Sequence, residues 1–166
     1  NKEGRRIKLI LAGKINSFSE KYVAKAKLDE NYKDWLYILG PIPRNELFSY
    51  YKSARLNVFP SHWDNLPLTC IEAMSLGGLV LGSTSGGMKE IIEDQVDGYL
   101  IEPKNTTHLK EKISNILSIN LEITNKVRLM AMQKIKNKFS NEIIYKEVFN
   151  FYDSVINDYV RKKTKT

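Results

Sequence analysis

Residues 60–98 read PSHWDNLPLTCIEAMSLGGLVLGSTSGGMKEIIEDQVDG, and the reading of this stretch decides the fold. The residues leading into it, LNVFP (56–60), are apolar, few and closed by a proline, which reads as a buried strand. Ser61 to Pro67 holds Ser, His, Asp, Asn and Pro, the chemistry of a loop. Pro67 is tolerated at a first helical position. The following TCIEAMSL places Ile71, Ala73, Met74 and Leu76 on most sides, so this helix is expected to be buried against a sheet. Gly77-Gly78 ends it. LVLGS (79–83) reads as a second buried strand, and Thr84-Ser85-Gly86-Gly87 turns into a helix beginning MKEIIE.

Two acids stand out, Asp64 on the loop and Glu72 on the helix. A carboxylate in a mostly apolar helix needs a partner or a ligand. A lysine or a capped backbone group is the plainer explanation; a hydroxylated ligand is the functional one. In an open parallel sheet the loops at the carboxyl ends of neighbouring strands converge on one crevice. Two helix N-termini would face it here, each with free N–H groups and a positive dipole end, and phosphate is their natural ligand. A Gly-Gly turn alone is usually just a tight connection; the paired loops with two acids on one of them carry the argument.

The rest of the chain alternates in the same way. RIKLILAG (6–13) and WLYILG (35–40) are strand-like, as is DGYLI (97–101). Phe18 to Asn31 is expected to be an amphipathic helix with Tyr22, Val23 and Ala26 inward. Asn45 to Ala54 carries Leu47, Phe48 and Tyr51 as an apolar stripe. Thr106 to Leu117 places Leu109, Ile113, Ile116 and Leu117 inward. Glu122–Lys138 and Asn141–Val160 are two further helices, and Tyr145, Phe149 and Tyr152 recur at helical spacing, either as core packing or in part as a face turned to another domain. The alternation argues for a doubly wound parallel α/β sheet in a single domain spanning 1–166. There is no internal repeat or low-complexity linker.

Composition narrows the function classes. A chain of 166 residues can bury a sizeable core, and no run reaches the length of a membrane span. The lone cysteine, Cys70, rules out an intrachain disulfide framework, and its place in the buried helix makes it packing rather than nucleophile. His62 and His108 are too isolated to suggest a zinc site, and no metal is expected. The net charge of +7 resides in the termini: +3 in residues 1–8 and +4 in residues 161–166, with residues 9–160 neutral. No basic-aromatic pattern accompanies it, so nucleic acid is a poor partner. The basic tail suits contact with anionic lipid, although a solvated terminus is the plainer reading.

The residues of the central stretch, taken together, resemble the signature of the retaining GT-B glycosyltransferases of family 4. That signature is an acid, seven residues, a glutamate opening an EAMA-type helix, a strand, a GG-x-x-E turn and a Gly-Leu/Tyr-Leu strand. The corresponding pieces are Asp64, Glu72, EAMSLG (72–77), SGGMKE (85–90) and DGYLIEP (97–103). The likeness runs back through ILGPIPRNEL (38–47) to RIKLILAG. Three departures accompany it. The first acid is Asp rather than Glu, Pro67 replaces a common glycine, and nothing ahead of Arg6 supplies the earlier strand and loop whose Gly-Arg and Lys grip the donor diphosphate. The resemblance therefore implies the donor-binding, Rossmann-like C-terminal half of a longer enzyme, inactive alone, whose acceptor domain lies elsewhere.

The same resemblance implies a role for each site residue. Sugar is transferred from a nucleotide diphosphate to an acceptor hydroxyl with retention, and no cofactor is needed beyond the donor, with a UDP-sugar as the default. Asp64 and Glu72 are the implied catalytic pair, Asp64 accepting from donor-sugar hydroxyls and Glu72 from the ribose. Ile42 is expected to meet the base through its backbone, with Arg44 nearby. Asn65, Leu66, Leu68, Thr69, Ser85 and Gly86 complete the donor site. The implied acceptor is a glycan or lipid-linked saccharide of polysaccharide biosynthesis, and the implied location is cytoplasmic, at the inner face of the membrane. Other GT-B enzymes such as a nucleotide-sugar epimerase, and a non-catalytic sugar-nucleotide or interaction module, remain as alternatives. A glycosidase reading of the acid pair fails on Pro67, which breaks any helix joining the two.

Overall fold

The computed structural model describes residues 7–163, apart from the Phe18 side chain. The chain divides into two units at the Ser49–Tyr50 bond. In the first, β1 (Leu9–Ala12) and β2 (Leu36–Gly40) pair in parallel, Leu9 opposite Leu36 and Ile10 opposite Tyr37, with a bulge before Ala12. Between them runs α1 (Ser17–Ala26), whose N-terminus is closed by a reciprocal box between Asn16 and Ser19. This helix is shorter than the pattern of residues 18–31 predicts. Beyond Ala26 only Leu28 is apolar before Tyr32, and it is exposed, so no buried face rewards another turn. Tyr22, expected inward, is also exposed; Val23 and Ala26 are half-buried. A single 3₁₀ turn (Tyr32–Asp34) leads into β2, and α2 (Arg44–Ser53) follows it, its last turn belonging to the second unit.

Trp35, ahead of β2, is half-buried, and its indole N–H is buried without a hydrogen-bond partner. An orphaned buried donor costs about 1–3 kcal/mol, which offsets much of what the larger ring gains by packing. Trp35→Phe is therefore expected to change stability by less than about 1 kcal/mol, as read by urea denaturation.

The second unit holds a three-stranded parallel sheet of order β3-β4-β5: β3 (Asn57–Phe59), β4 (Val80–Ser83) and β5 (Tyr99–Ile101). Val58 lies opposite Leu81, and Leu81 opposite Tyr99. The central strand β4 is buried along its whole length, its apolar Val80 and Leu81 followed by Gly82 and by Ser83, whose buried hydroxyl is hydrogen-bonded. The core gathers Leu79, Leu81, Tyr99, Ile101, Ile116 and Val127, with Leu109 and Ile113 packed against it. Those last two and Ile116 come from α5 (Thr106–Ser118), and Val127 from α6 (Leu121–Lys138).

Short helices α3 (Leu68–Ser75) and α4 (Met88–Ile91) connect the strands. Cys70, Ala73 and Met74 of α3 are wholly buried, and α3 packs against both β4 and α6. Gly82 lets α4 lie close on β4, since a Cβ there would meet the Met88 side chain at 2.7 Å. Arg128 of α6 donates to the carbonyls of Gly77, Ala54 and Arg55, closing the segments on either side of β3 and α3. The last helix, α7 (Asn141–Lys163), has no buried residue. Tyr145, Phe149 and Tyr152 are exposed rather than in the core. Their helical spacing is real, but among the described residues nothing covers the stripe they form.

Candidate functional site

The strands of the second sheet are parallel, so the loops after β3, β4 and β5 leave at one edge. The first two are fastened together. Ser85 Oγ lies 2.8 Å from the Ser61 carbonyl oxygen, Ser83 Oγ lies 2.5 Å from it, and the two hydroxyls are 2.6 Å apart. Three oxygens share two protons, and the loop's first residue is held from below. Further along, the Gly87 N–H donates to the Asp64 carbonyl at 3.0 Å. A Cβ on Gly86 would lie 1.9 Å from the Asp64 carbonyl oxygen, and one on Gly87 1.9 Å from that of Asn65. The Gly-Gly turn is thus more than a tight connection: backbone lies on backbone.

Below this contact α3 begins. Pro67 is its N-cap rather than its first helical residue, with ψ of 97°, and its side chain offers no cap. The Cys70 and Ile71 amides both donate to the Pro67 carbonyl. Among the described residues the amides of Leu68 and Thr69 make no such bond, and both residues are exposed. Two N–H groups at the positive end of an eight-residue helix are open.

Both acids flank this helix start and are half-buried. Glu72 stands near the buried Tyr51, whose phenol is pushed up first by burial and then by the Glu72 charge. Cys70, fully enclosed, has its thiol pushed up to about 12 by burial, with the charges of Asp97 and Asp64 adding to it. A thiol so placed is inert packing, as its position in the sequence suggests.

A cleft of about 680 Å³ opens beside the fastened loops. His62, Trp63 and Asn65 line it from the loop after β3, the turn Thr84–Gly87 from that after β4, and Pro103 from that after β5; Lys89 and Glu90 of α4 complete it. Of the residues read as the donor site, Asn65, Ser85 and Gly86 line this cleft, while Asp64, Leu66, Glu72, Leu68 and Thr69 do not. The Ser85 hydroxyl is already engaged with Ser61. Ile42, between Pro41 and Pro43, is half-buried in the first unit, and the Arg44 guanidinium there lies 5.2 Å from the Phe48 ring centre. Sequence reasoning passed over Ser61, Ser83, Trp63 and Lys89. Trp63 alone carried a signal, a large aromatic in a polar loop with no apolar neighbours. Among the described residues no cluster of His, Cys, Asp or Glu is suited to a metal.

A sequence profile of the glycosyl transferases group 1 matches residues 1–137. The chain belongs to that family. Among its relatives is a glycosyltransferase of Haemophilus influenzae, 30% identical over 133 residues that make up 74% of this chain and 38% of the relative. Another, from Methanocaldococcus jannaschii, is 28% identical and covers 90% of this chain and 38% of its own length. The chain therefore spans about two fifths of these curated relatives. Solved structures agree on the fold. Sucrose-phosphate synthase from Thermosynechococcus elongatus superposes with a TM-score of 0.77 at 24% identity, over 91% of this chain and 39% of that one. Anabaena HepE in complex with UDP and glucose gives 0.76 at 19%, over 89% and 40%. As a group 1 glycosyltransferase chain of GT-B type, it carries the α/β architecture with parallel sheets that its alternating sequence implies.

Proposed function

We propose that this chain holds the donor in a retaining glycosyl transfer, a nucleoside diphosphate sugar with UDP as its nucleotide. The observation that carries this is the start of α3. Two open amides there lie between two half-buried acids, on a loop fastened to the Gly-Gly turn. Charge builds on the leaving diphosphate during transfer, and preformed donors aimed at it lower the barrier. In this reading the Leu68 and Thr69 amides receive the diphosphate, Glu72 accepts from the ribose, and Asp64 accepts from sugar hydroxyls. The UDP complexes of structurally similar proteins support the choice of nucleotide. The acceptor is a glycan or lipid-linked saccharide bound outside this chain. The same proposal places the reaction in the cytoplasm at the membrane's inner face, where the basic residues 161–166 meet anionic lipid.

Titration with UDP, followed by backbone NMR, is expected to move the amides of Leu66, Leu68 and Thr69, with dissociation constants on the order of millimolar. Glu72→Gln should weaken UDP binding about tenfold or more, since a hydrogen bond to a charged group contributes about 1.5–3 kcal/mol. Asp64→Asn should spare UDP and weaken only the UDP-sugar. Equal affinities in all three proteins, with lowered melting temperatures in both variants, would reduce the acids to structural groups. A larger loss of UDP from Asp64→Asn would reverse their roles.

A further inference from the structure

Trp63 is 75% exposed although tryptophan is the side chain with most to gain from cover. Its single polar atom is already satisfied, the indole Nε1–H donating to Asn65 Oδ1 at 3.2 Å. What remains is a flat apolar face. That face stands on a rigid base, for the loop is tied at Ser61 by two serine hydroxyls and at Asp64 by the Gly87 amide, with Asn65 lying on Gly87. Holding an uncovered indole so firmly costs little when a ligand is to lie on it, because no ordering is left to be done on binding.

The cleft around it indicates the ligand's chemistry. One cation, Lys89, and one anion, Glu90, cancel in its walls, and His62 and Thr84 supply further hydrogen-bonding groups. A neutral polyhydroxylated ring suits both parts: its axial and equatorial C–H groups make an apolar face for the indole, and its hydroxyls find donors and acceptors at the rim. The volume of about 680 Å³ falls among those of small-ligand sites. Apart from Trp63, only Pro103 offers a large apolar surface to the cleft, so it does not resemble a protein-docking patch.

We infer that Trp63 is a stacking platform for a pyranose ring, set on the loop that carries Asp64 and bounded by His62, Thr84, Lys89 and Glu90. This rests on the proposed sugar transfer for why a pyranose should arrive there. The ring belongs either to the donor sugar or to the acceptor saccharide, and the test separates them.

The chain has two tryptophans, so Trp35→Phe leaves Trp63 as the only indole reporter. Its emission is to be followed with methyl glycosides of glucose, galactose and mannose, with N-acetylglucosamine, with maltotriose, with UDP-glucose and with UDP. A saturable blue shift with free saccharides, with a dissociation constant on the order of 10 mM, assigns the platform to the acceptor. A shift with UDP-glucose but with neither free saccharides nor UDP assigns it to the donor sugar. In the unaltered chain the same ligand should move the Thr84 and Gly87 amides. Trp63→Ala should reduce its affinity about tenfold or more, with part of it regained in Trp63→Tyr. An emission unmoved by every sugar in the panel overturns the inference, as does saccharide affinity unchanged in Trp63→Ala, or a shift with UDP alone. The Leu68 and Thr69 amides report UDP separately, so failure of the donor reading and failure of the platform are distinguishable.

Discussion

Lys134→Met is expected to remove about 3–5 kcal/mol of stability, the usual result of stripping one partner from a buried ion pair. Lys134 Nζ lies 2.7 Å from Asp97 Oδ2, and the Asp97 side chain is 4% exposed. The other carboxylate oxygen accepts the Glu93 N–H at 2.8 Å, so Asp97 ties the connection between α4 and β5 to α6. That connection is otherwise held by small features. Gln95 takes a left-handed φ of 66°, its amide bonds to the Gly98 carbonyl, and Asp94 Oδ1 accepts from the Leu100 N–H while its other oxygen faces Lys112. Methionine keeps most of the lysine stem but leaves a carboxylate in the interior with no cation. Urea denaturation should show the loss, and the melting temperature should fall by about 10 °C. The double variant Lys134→Met/Asp97→Asn should recover more than half, since asparagine still accepts from the Glu93 amide and carries no charge to strand. A loss below about 1 kcal/mol in the single variant would mean that water reaches the carboxylate.

Gly87→Ala should have an effect of similar size, with a second readout. Gly87 has an ordinary φ of −75°, so any cost there is steric rather than conformational. Its Cβ would fall 1.9 Å from the Asn65 carbonyl oxygen, a backbone atom that no rotamer change can move away. The loop after β3 must then lift from the turn, breaking the Gly87–Asp64 hydrogen bond and loosening the Ser61 clamp. About 2–4 kcal/mol is expected from overpacking and the strain it induces. If α3's start and the acids form one site, UDP affinity should fall at least tenfold as well. Stability lost with UDP binding retained would show that the loop's seat on the Gly-Gly turn does not position the nucleotide.

The two substitutions differ in how visible their targets are in the sequence. Gly86-Gly87 stands between a buried strand and a helix start, and the resemblance to a glycosyltransferase motif singles it out. Why two glycines are needed, namely contact with the Asp64 and Asn65 backbone, is a fact of packing between loops separated by a helix and a strand. Lys134 and Asp97 are 37 residues apart, and nothing in charge spacing selects that pair from the other lysines of α6. Ser83 and Ser85 read as strand end and turn, and their shared hold on the Ser61 carbonyl appears only when β3 and β4 lie side by side.

What the sequence by itself determined is what short-range pattern encodes. Short, mainly apolar runs bounded by Pro and Gly place β3 and β4, helical spacing places α2, α5, α6 and α7, and the alternation of the two selects a parallel α/β fold. The acid spacing around EAMSLG and the GG-x-x-E turn led to the glycosyl transferases group 1 family. Only the tertiary structure decided which apolar faces are covered. Tyr22, Tyr145, Phe149 and Tyr152 have the spacing of core residues and lie exposed, whereas Ile116 and Val127, equally periodic, are buried. Periodicity fixes the direction in which a side chain leaves its helix, but burial depends on whether another element of the chain arrives there. The same distinction governs the site: the loop's residues are local, while its rigidity, its cleft and the exposure of Trp63 arise from contacts with the next strand and turn.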